Sequence, residues 1–335
     1  MAAAVLTKTG AELELQTVPR PVPTPGETLV RIRAAGLCHT DLHLAAGVPT
    51  NPPLPLILGH EIAGEVVECL PAEECEPDFV TGDRVLVYYY DGCANCDWCA
   101  AGLENLCRAP KSKYGFDTDG GFAEYISVPT RCLVKMPDEV GFAAAAALGC
   151  SGTTAVHVVH RVADIGKGDR VAVIGAGGVG LAVIQVAKAR GAVVSALDTW
   201  APSRDTAVRF GASETPAPDD LPPGMLGHID CVVDTVGSDA TVRLALQLIR
   251  PQGKVVLVGY GETPATLSVV DVVVTEVAIV GSVGATLDEV STVLELAGRG
   301  ELEMCTADEL PLDGVNDAMT LLQTGEVVGR LILRP

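Results

Sequence analysis

A glycine-rich turn near the middle of the chain limits the possible fold more than any other feature. The letters G-A-G-G-V-G occupy residues 175–180, directly after an apolar run at 171–174 and before an apolar-periodic run at 181–190. A strand, a glycine turn and a helix in this order are typical of a parallel sheet with helices on its faces. Strand-like and helix-like runs alternate beyond this turn, so the sequence predicts an α/β fold with a doubly wound parallel sheet.

The same turn predicts a dinucleotide site. Gly175 permits the tight turn, Gly177 lets the backbone approach a pyrophosphate, and Gly180 lets the helix pack closely on the strand. Gly178 and Val179 belong to the start of the helix, where backbone amides and the helix dipole favour a bound anion. A turn without a ligand and a site for FAD are the alternatives.

An acidic residue at the end of the next strand predicts which dinucleotide binds. The Asp198 carboxylate would accept hydrogen bonds from a ribose diol and would repel a 2′-phosphate, which favours NAD over NADP. Arg204 lies close in sequence and could contact the adenosine side of the cofactor. It is therefore the residue that would allow a preference for NADP.

Four closely spaced cysteines predict a closed metal site. They are Cys93, Cys96, Cys99 and Cys107. Four thiolates complete a tetrahedron around zinc and leave no open position, so we expect a structural metal. Disulfides are an alternative that the lack of a recognisable secretory signal disfavours, and an iron–sulfur cluster would need the same four thiolates.

Length, charge and hydropathy exclude several classes of function. A chain of 335 residues is long enough for two domains, and its formal net charge of −20 argues against binding to nucleic acid. We find no apolar run of the ~18 or more residues that a membrane span needs, and residues 142–148 are expected to form a short core helix. The sequence predicts a cytoplasmic protein that binds neither nucleic acid nor membrane.

Residues 1 to about 150 contain short strand-like runs that glycine and proline often interrupt, which predicts a mainly β domain. A second set of soft metal ligands belongs to this part. Cys38, His60 and Cys150 could hold zinc and leave a fourth position for water or substrate. Because the three are far apart in sequence, a hydrogen-bonded structural histidine remains an alternative at residue 60.

The order of the motifs resembles that of the zinc-dependent medium-chain alcohol dehydrogenases, over essentially the whole chain. The matching segments are G-L-C-H-T-D at 36–41, G-H-E at 59–61, the four-cysteine loop, L-G-C-S-G at 148–152 and the glycine turn. The resemblance implies a GroES-like, mainly β catalytic domain and a Rossmann domain, with the active site in the cleft between them. The implied bounds are 1–152 for the catalytic domain with a zinc lobe at about 91–109, 153–286 for the Rossmann domain, and 287–335 for a return to the catalytic domain.

The resemblance also implies roles around the metal. Cys38, His60 and Cys150 would bind a catalytic zinc, so that each subunit would hold two zinc ions in all. Glu61 would lie near the metal and bind it during ligand exchange, and Asp41 would orient His60. The competing interpretation of Asp41 is a simple helix cap.

Further roles concern the proton and the cofactor. Thr40 would accept the proton of the substrate hydroxyl and His43 would pass it to solvent. Thr154 would lie near the nicotinamide, and His39 and Arg330 would contact the phosphates or ribose of the cofactor. The competing interpretation of Arg330 is a surface charge.

The function implied by the resemblance is reversible hydride transfer between a small alcohol and NAD, with zinc as Lewis acid. A zinc-containing enoyl reductase, for example one acting on acryloyl-CoA-like substrates, and a non-catalytic relative are the alternatives. We expect a homodimer or homotetramer, with residues 277–280 as a candidate edge strand for the interface. The apolar segment 48–58 suggests a medium-length or aromatic alcohol, and the segment 69–77 departs from the usual shorter turn of the family.

Overall fold

The structure is a computed structural model that describes residues 1–48, 51–72, 78–261 and 263–335. The chain forms two compact units. Unit 1 comprises Met1–Cys150, Ala285–Gly300 and Met304–Pro335, and unit 2 comprises Ser151–Gly284 and Glu301–Glu303. Part of the apolar segment 48–58 (residues 49 and 50) and most of the atypical segment 69–77 (residues 73–77) lie outside the described residues.

The strands of both units are numbered here in chain order. They are β1 (Ala2–Leu6), β2 (Glu14–Thr17), β3 (Glu27–Leu37), β4 (Leu56–Ile57), β5 (Glu61–Cys69), β6 (Arg84–Val87), β7 (Tyr90–Asp91), β8 (Ser112–Lys113), β9 (Tyr125–Pro129), β10 (Leu133–Lys135), β11 (Arg170–Ile174), β12 (Val193–Leu197), β13 (Ile229–Asp234), β14 (Ile249–Leu257), β15 (Ala278–Gly281), β16 (Thr306–Pro311) and β17 (Arg330–Arg334).

The helices are numbered in the same way. They are α1 (His39–Ala46), α2 (Asp97–Ala100), α3 (Phe142–Ala147), α4 (Thr153–Val156), α5 (Gly178–Ala189), α6 (Ala201–Arg209), α7 (Asp239–Leu248), α8 (Val269–Thr275), α9 (Leu287–Gly298) and α10 (Val315–Gln323). Short 3₁₀ turns cover Glu104–Leu106, Thr130–Cys132 and Leu312–Gly314, and π-helical turns cover Leu148–Gly152 and His157–Val162.

Unit 1 is built on a largely antiparallel sheet in the order β10-β6-β5-β3-β17-β16, with β9 also paired to β3. The long strand β3 is its centre, and most of its residues are buried. Two smaller sheets, β2-β1-β4 and β7-β8, complete this unit.

Unit 2 is a parallel sheet in the order β12-β11-β13-β14-β15. The central strands β11 and β13 contain mainly buried apolar residues, because helices cover a parallel sheet on both faces. Its core includes Ile174, Leu197, Val232 and Leu248, all nearly inaccessible to solvent. The predicted fold class, a mainly β domain together with a Rossmann-type parallel sheet, is confirmed.

The alanine-rich helix is longer than the sequence indicates. Instead of ending near residue 148, helical backbone continues from Phe142 to Val162. A π-helical turn at Leu148–Gly152 contains both Gly149 and Gly152, and a second one ends the helix at His157–Val162. At 21 residues it is long and apolar enough to cross a membrane by length and composition, but 83% of its most apolar window is buried within the protein. A helix buried to this extent belongs to the core of the protein.

Candidate metal and dinucleotide sites

Strand register in unit 1 brings distant residues to one end of the central sheet. β3 ends at Leu37 and β5 begins at Glu61, and the antiparallel pairing places Gly36 opposite Glu61. On the other side of β3, Leu37 pairs with Leu331. The residues just beyond these pairs, Cys38 and His60, therefore meet at the same edge, together with Arg330 at the start of β17.

Cys150 reaches this edge from a helix. It lies in the π-helical turn that follows α3, and α3 packs against both β3 and β5. The potential ligand atoms of Cys38, His60, Glu61 and Cys150 all lie within 4.8 Å of one another, and all four residues are buried. Two thiols, an imidazole and a carboxylate at this separation form a donor set suited to zinc.

Asp41 serves two purposes at once. As the third residue of α1, it accepts a hydrogen bond from the backbone N–H of Cys38 (2.8 Å, Oδ2) and caps the helix. Its Oδ1 accepts the Gly59 N–H at 3.3 Å and lies 3.4 Å from His60 Nδ1. Both interpretations of Asp41 describe part of its geometry, and the contact with Nδ1 leaves Nε2 of His60 for a metal.

The charge of Asp41 also affects the protonation of His60. Burial disfavours the imidazolium, but the Asp41 carboxylate and Cys38 together outweigh burial and raise the pKa of His60 to about 10. A metal on the other nitrogen would replace this proton, so that Asp41 would then hold the ring in the ligating orientation.

The four potential ligands Cys38, His60, Glu61 and Cys150 are called the metal cluster below. Arg330 is buried beside them and does not lie on the surface. Its Nη2 is 2.9 Å from Glu61 Oε1 and 3.3 Å from Cys38 Sγ, and only 5% of its side chain is exposed. Burial therefore excludes the surface-charge interpretation. Burial raises the pKa of Glu61 to about 7 even though Arg330 favours the carboxylate.

The two thiols of the cluster share a hydrogen bond. A bond from the Cys150 thiol, together with Arg330 and His60, lowers the pKa of Cys38 well below its usual value, whereas the same bond raises that of Cys150. A thiolate is the form that binds zinc, so the surroundings of Cys38 prepare it for that role.

The predicted relay residues occupy helix α1. Thr40 Oγ1 lies 3.6 Å from Cys38 Sγ, which places the hydroxyl beside the metal cluster. His43 follows three residues later, and residues at this spacing share one face of a helix. His39 at the start of the helix is exposed, in contrast to the half-buried Thr40 and His43.

The four-cysteine loop forms a second cluster. The sulfurs of Cys93 and Cys99, and those of Cys96 and Cys107, are each 3.9 Å apart. A tetrahedron of thiolates around zinc has edges of about 3.8 Å, whereas a disulfide bond measures about 2.0 Å. The disulfide alternative is therefore wrong, since all described cysteines are free thiols.

The glycine turn of unit 2 has the geometry of a tight strand-to-helix connection. Gly175 has a φ of +90°, and a Cβ there would lie 2.5 Å from Thr235 Oγ1. At Gly180 a Cβ would meet the Gly175 carbonyl oxygen at 1.9 Å. Nothing lies within 4 Å of the corresponding point at Gly177, the residue that caps α5, so this face has room for an approaching ligand.

Asp198 closes the turn from the neighbouring strand. Its Oδ2 accepts the Ala176 N–H and its Oδ1 accepts the Trp200 N–H, each at 2.8 Å. Arg204 donates to the carbonyl oxygens of Asp198 and Thr199, at 2.7 and 2.9 Å. The Arg204 guanidinium is therefore bound to backbone carbonyl oxygens.

Thr154 is buried in α4 within unit 2. Its predicted contact with the nicotinamide remains a prediction, as do the contacts of His39 and Arg330 with the cofactor.

Comparison with known proteins assigns the family. Residues 24–138 match the alcohol dehydrogenase GroES-like domain, and residues 178–299 match the zinc-binding dehydrogenase domain. An alcohol dehydrogenase from Geobacillus stearothermophilus is 35% identical over 100% of this chain and 99% of its own length. The chain belongs to the zinc-dependent alcohol dehydrogenase family.

Solved structures agree with this assignment. Acetophenone reductase from Geotrichum candidum, determined in complex with NAD, superposes with a TM-score of 0.92 at 32% identity, covering 100% of this chain and 97% of its own. A zinc-binding dehydrogenase from Sinorhizobium meliloti, bound to NADP, superposes with a TM-score of 0.90 at 28% identity, covering 100% and 99% of the two chains. This alcohol dehydrogenase therefore has relatives that bind either dinucleotide.

An aromatic group beside the metal cluster completes the site of this alcohol dehydrogenase. The His60 ring contacts those of Tyr89 and Phe116, with centroids 5.1 and 4.9 Å away, and Tyr89 stacks on Phe116 at 5.6 Å. Sequence reasoning did not indicate this group of rings. It missed both this contact and the Glu61–Arg330 pair, because no spacing in the chain links residues so far apart.

Proposed function

We propose that this protein is a reversible, NAD-dependent alcohol dehydrogenase whose catalytic zinc is held by Cys38, His60 and Cys150. The observation that carries the proposal is the convergence of these buried ligands at one end of the β3–β5 pairing. Three protein ligands with a nearby carboxylate leave a coordination position for a substrate oxygen, which is the pattern of catalytic zinc sites.

The chemistry of the bound metal is that of a Lewis acid, which makes an alcohol more acidic or a carbonyl more electrophilic. Asp41 orients His60, and Arg330 offsets the negative charge of Glu61 and the Cys38 thiolate, which lie 2.9 and 3.3 Å away. Glu61 is within reach of the same metal and is proposed to bind it during exchange of water and substrate.

Thr40 and His43 form the proposed proton path. The Thr40 hydroxyl, beside Cys38, accepts the proton of the substrate and His43 carries it onward along the same helix. In carbonyl reduction the path runs in reverse. The dinucleotide supplies the hydride chemistry, and the glycine turn with Thr154, His39 and Arg330 is proposed to bind it.

We further propose a second, structural zinc in the four-cysteine loop, which gives two zinc ions per subunit. The sulfur separations of 3.9 Å support it. For the dinucleotide we propose NAD, because the Asp198 carboxylate would repel a 2′-phosphate and Arg204 is directed to backbone oxygens.

The substrate is proposed to be a small apolar alcohol or carbonyl compound, of medium length or aromatic. Tyr89 and Phe116 support this, because their rings lie against the metal ligand His60 and offer apolar surface there. The described residues of segment 48–58 include the buried Leu56, Ile57 and Leu58.

An apolar surface of unit 2 supports the proposed homodimer or homotetramer. Four valines of α8 (Val269, Val270, Val273 and Val274) are 67–71% exposed, and the edge strand β15 follows directly in the chain. An exposed edge and an apolar helix in one segment favour pairing with a second copy. We retain a cytoplasmic location and the domain bounds 1–152, 153–286 and 287–335 as proposals.

The test is a substrate panel assayed with NAD and NADP on protein of known zinc content. We expect two zinc ions per chain, alcohol oxidation with NAD, and an NAD preference that Asp198→Gly reduces by about tenfold or more. Wild-type protein that retains zinc but oxidises no alcohol and reduces no carbonyl would overturn the proposal. Reduction of activated carbon–carbon double bonds alone would assign it to enoyl reductases.

A further inference from the structure

A lysine lies on the aromatic group beside the metal cluster. Lys113 is the last residue of β8 and pairs across the strands with Tyr90. Its ammonium nitrogen is 3.8 Å from the centroid of the Phe116 ring and 5.0 Å from that of Tyr90. Aromatic faces attract a cation, so these two rings hold one side of the ammonium group.

Within the described parts of the chain, the ammonium group has no carboxylate partner. The nearest acidic neighbour in sequence, Asp117, instead accepts the backbone N–H of Lys113 at 2.6 Å and the Thr118 hydroxyl at 3.0 Å. The protein carries 43 acidic residues against 23 basic ones, so the lack of a partner is not due to a shortage of carboxylates.

The lysine is also half-buried, which makes its charge costly. Burial lowers the pKa of the Lys113 ammonium, against the opposite effect of Asp117. A cation that is partly removed from water and forms no ion pair within the described residues is a group that a bound anion would stabilise.

The position of the charge relates it to the reaction. Phe116 contacts Lys113 and also contacts the proposed zinc ligand His60, with ring centroids 4.9 Å apart. A single aromatic ring thus connects the ammonium group with the metal cluster. A substrate that reaches from the metal along this ring would meet the ammonium group a few carbon atoms from its reacting carbon.

We propose that Lys113 gives this enzyme a preference for alcohols and carbonyl compounds that carry a carboxylate remote from the reacting carbon. The inference rests on the proposed function and narrows its substrate class. Lys113 acts as a specificity residue: it binds the carboxylate, and the aromatic rings bind the carbon skeleton between the two ends.

The test compares two alcohols of nearly equal shape, para-(hydroxymethyl)benzoate and its neutral amide, para-(hydroxymethyl)benzamide. We expect zinc-loaded wild-type protein to prefer the benzoate in kcat/KM by about tenfold or more, the value of a charge-assisted hydrogen bond. Lys113→Met should raise KM for the benzoate by about the same factor, and it should change KM for the benzamide by less than about twofold. Lys113→Arg should keep most of the preference.

Lys111→Met is the matched control, because it makes the same chemical change at an exposed lysine outside the ring cluster. It should leave the preference unchanged. If Lys113→Met lowered kcat/KM equally for both alcohols, the ammonium group would only support Phe116 and the proposal would be wrong. A wild-type enzyme that did not prefer the benzoate would also overturn it.

Binding separates this inference from the proposed function. If neither alcohol were turned over, calorimetric titration of the benzoate into wild-type protein and Lys113→Met would still decide the role of Lys113. Weaker binding to the variant alone would support it, and equal binding would refute it.

Discussion

The two clusters of potential metal ligands in this protein are assembled in opposite ways. The four-cysteine cluster takes all its ligands from one loop, residues 93–107, and each of these cysteines is partly exposed. The other cluster takes Cys38, His60 and Cys150 from three separate parts of the chain and buries them all. A local cluster stabilises the segment that contains it, whereas a cluster assembled by long-range pairing can place reactive groups at a protected point.

The largest expected effect concerns the buried cluster. Cys38→Ser or Cys150→Ser should lower kcat by about a thousandfold or more, because Lewis-acid assistance contributes several kcal/mol to such a reaction. Dinucleotide binding and the circular dichroism spectrum should stay nearly unchanged. Cys305→Ser, which alters a cysteine outside both clusters, is the control, and near-normal turnover in the Cys38 variant would remove the distinction between the clusters.

The four-cysteine cluster should show the reverse pattern. Cys93→Ser or Cys107→Ser should lower Tm by about 10 °C or more, because the free energy of binding a structural zinc is also folding free energy. At a temperature where the variant remains folded, kcat should be close to that of the wild type. A Tm equal to that of the wild type, measured by calorimetry with zinc content determined in parallel, would contradict a structural role.

A smaller effect tests how the buried cluster is oriented. Asp41→Asn keeps an oxygen that can cap α1 but loses the charge facing His60 Nδ1. Loss of such an outer contact lowers metal affinity by about 10–100-fold, measurable by competition with a chelator. The Tm of the metal-free protein should change little. An unchanged affinity would mean that Asp41 is only a helix cap.

Sequence reasoning recovered the local features of the molecule better than the long-range ones. The four cysteines and the strand–turn–helix around Gly175 are each encoded within a short stretch, so spacing alone indicated them. Residue types alone suggested that Cys38, His60 and Cys150 could hold zinc, but their roles as ligands of a catalytic zinc came from resemblance to a family. The Glu61–Arg330 pair could not be foreseen, because only the pairing of β17 with β3 brings residues so distant in sequence together.

The long helix gives a similar lesson. The sequence predicted a helix only over residues 142–148, and two glycines, which have low helix propensity, follow at 149 and 152. The helix continues through them with one π-helical turn, Leu148–Gly152, which also contains Cys150. Burial of the surrounding residues outweighs propensity there. A widened helical turn at a proposed ligand agrees with the general occurrence of π-turns at functional sites.

The register of β3 has a consequence for how this protein can change over time. Side chains of a strand alternate between faces, so inserting or deleting one residue within β3 would turn every following side chain to the opposite face. Cys38 would then leave the cluster although no ligand had been replaced. The length of β3, and not only the identity of the residues around the metal, is therefore under constraint, and natural variation in length should be confined to the loops outside this strand.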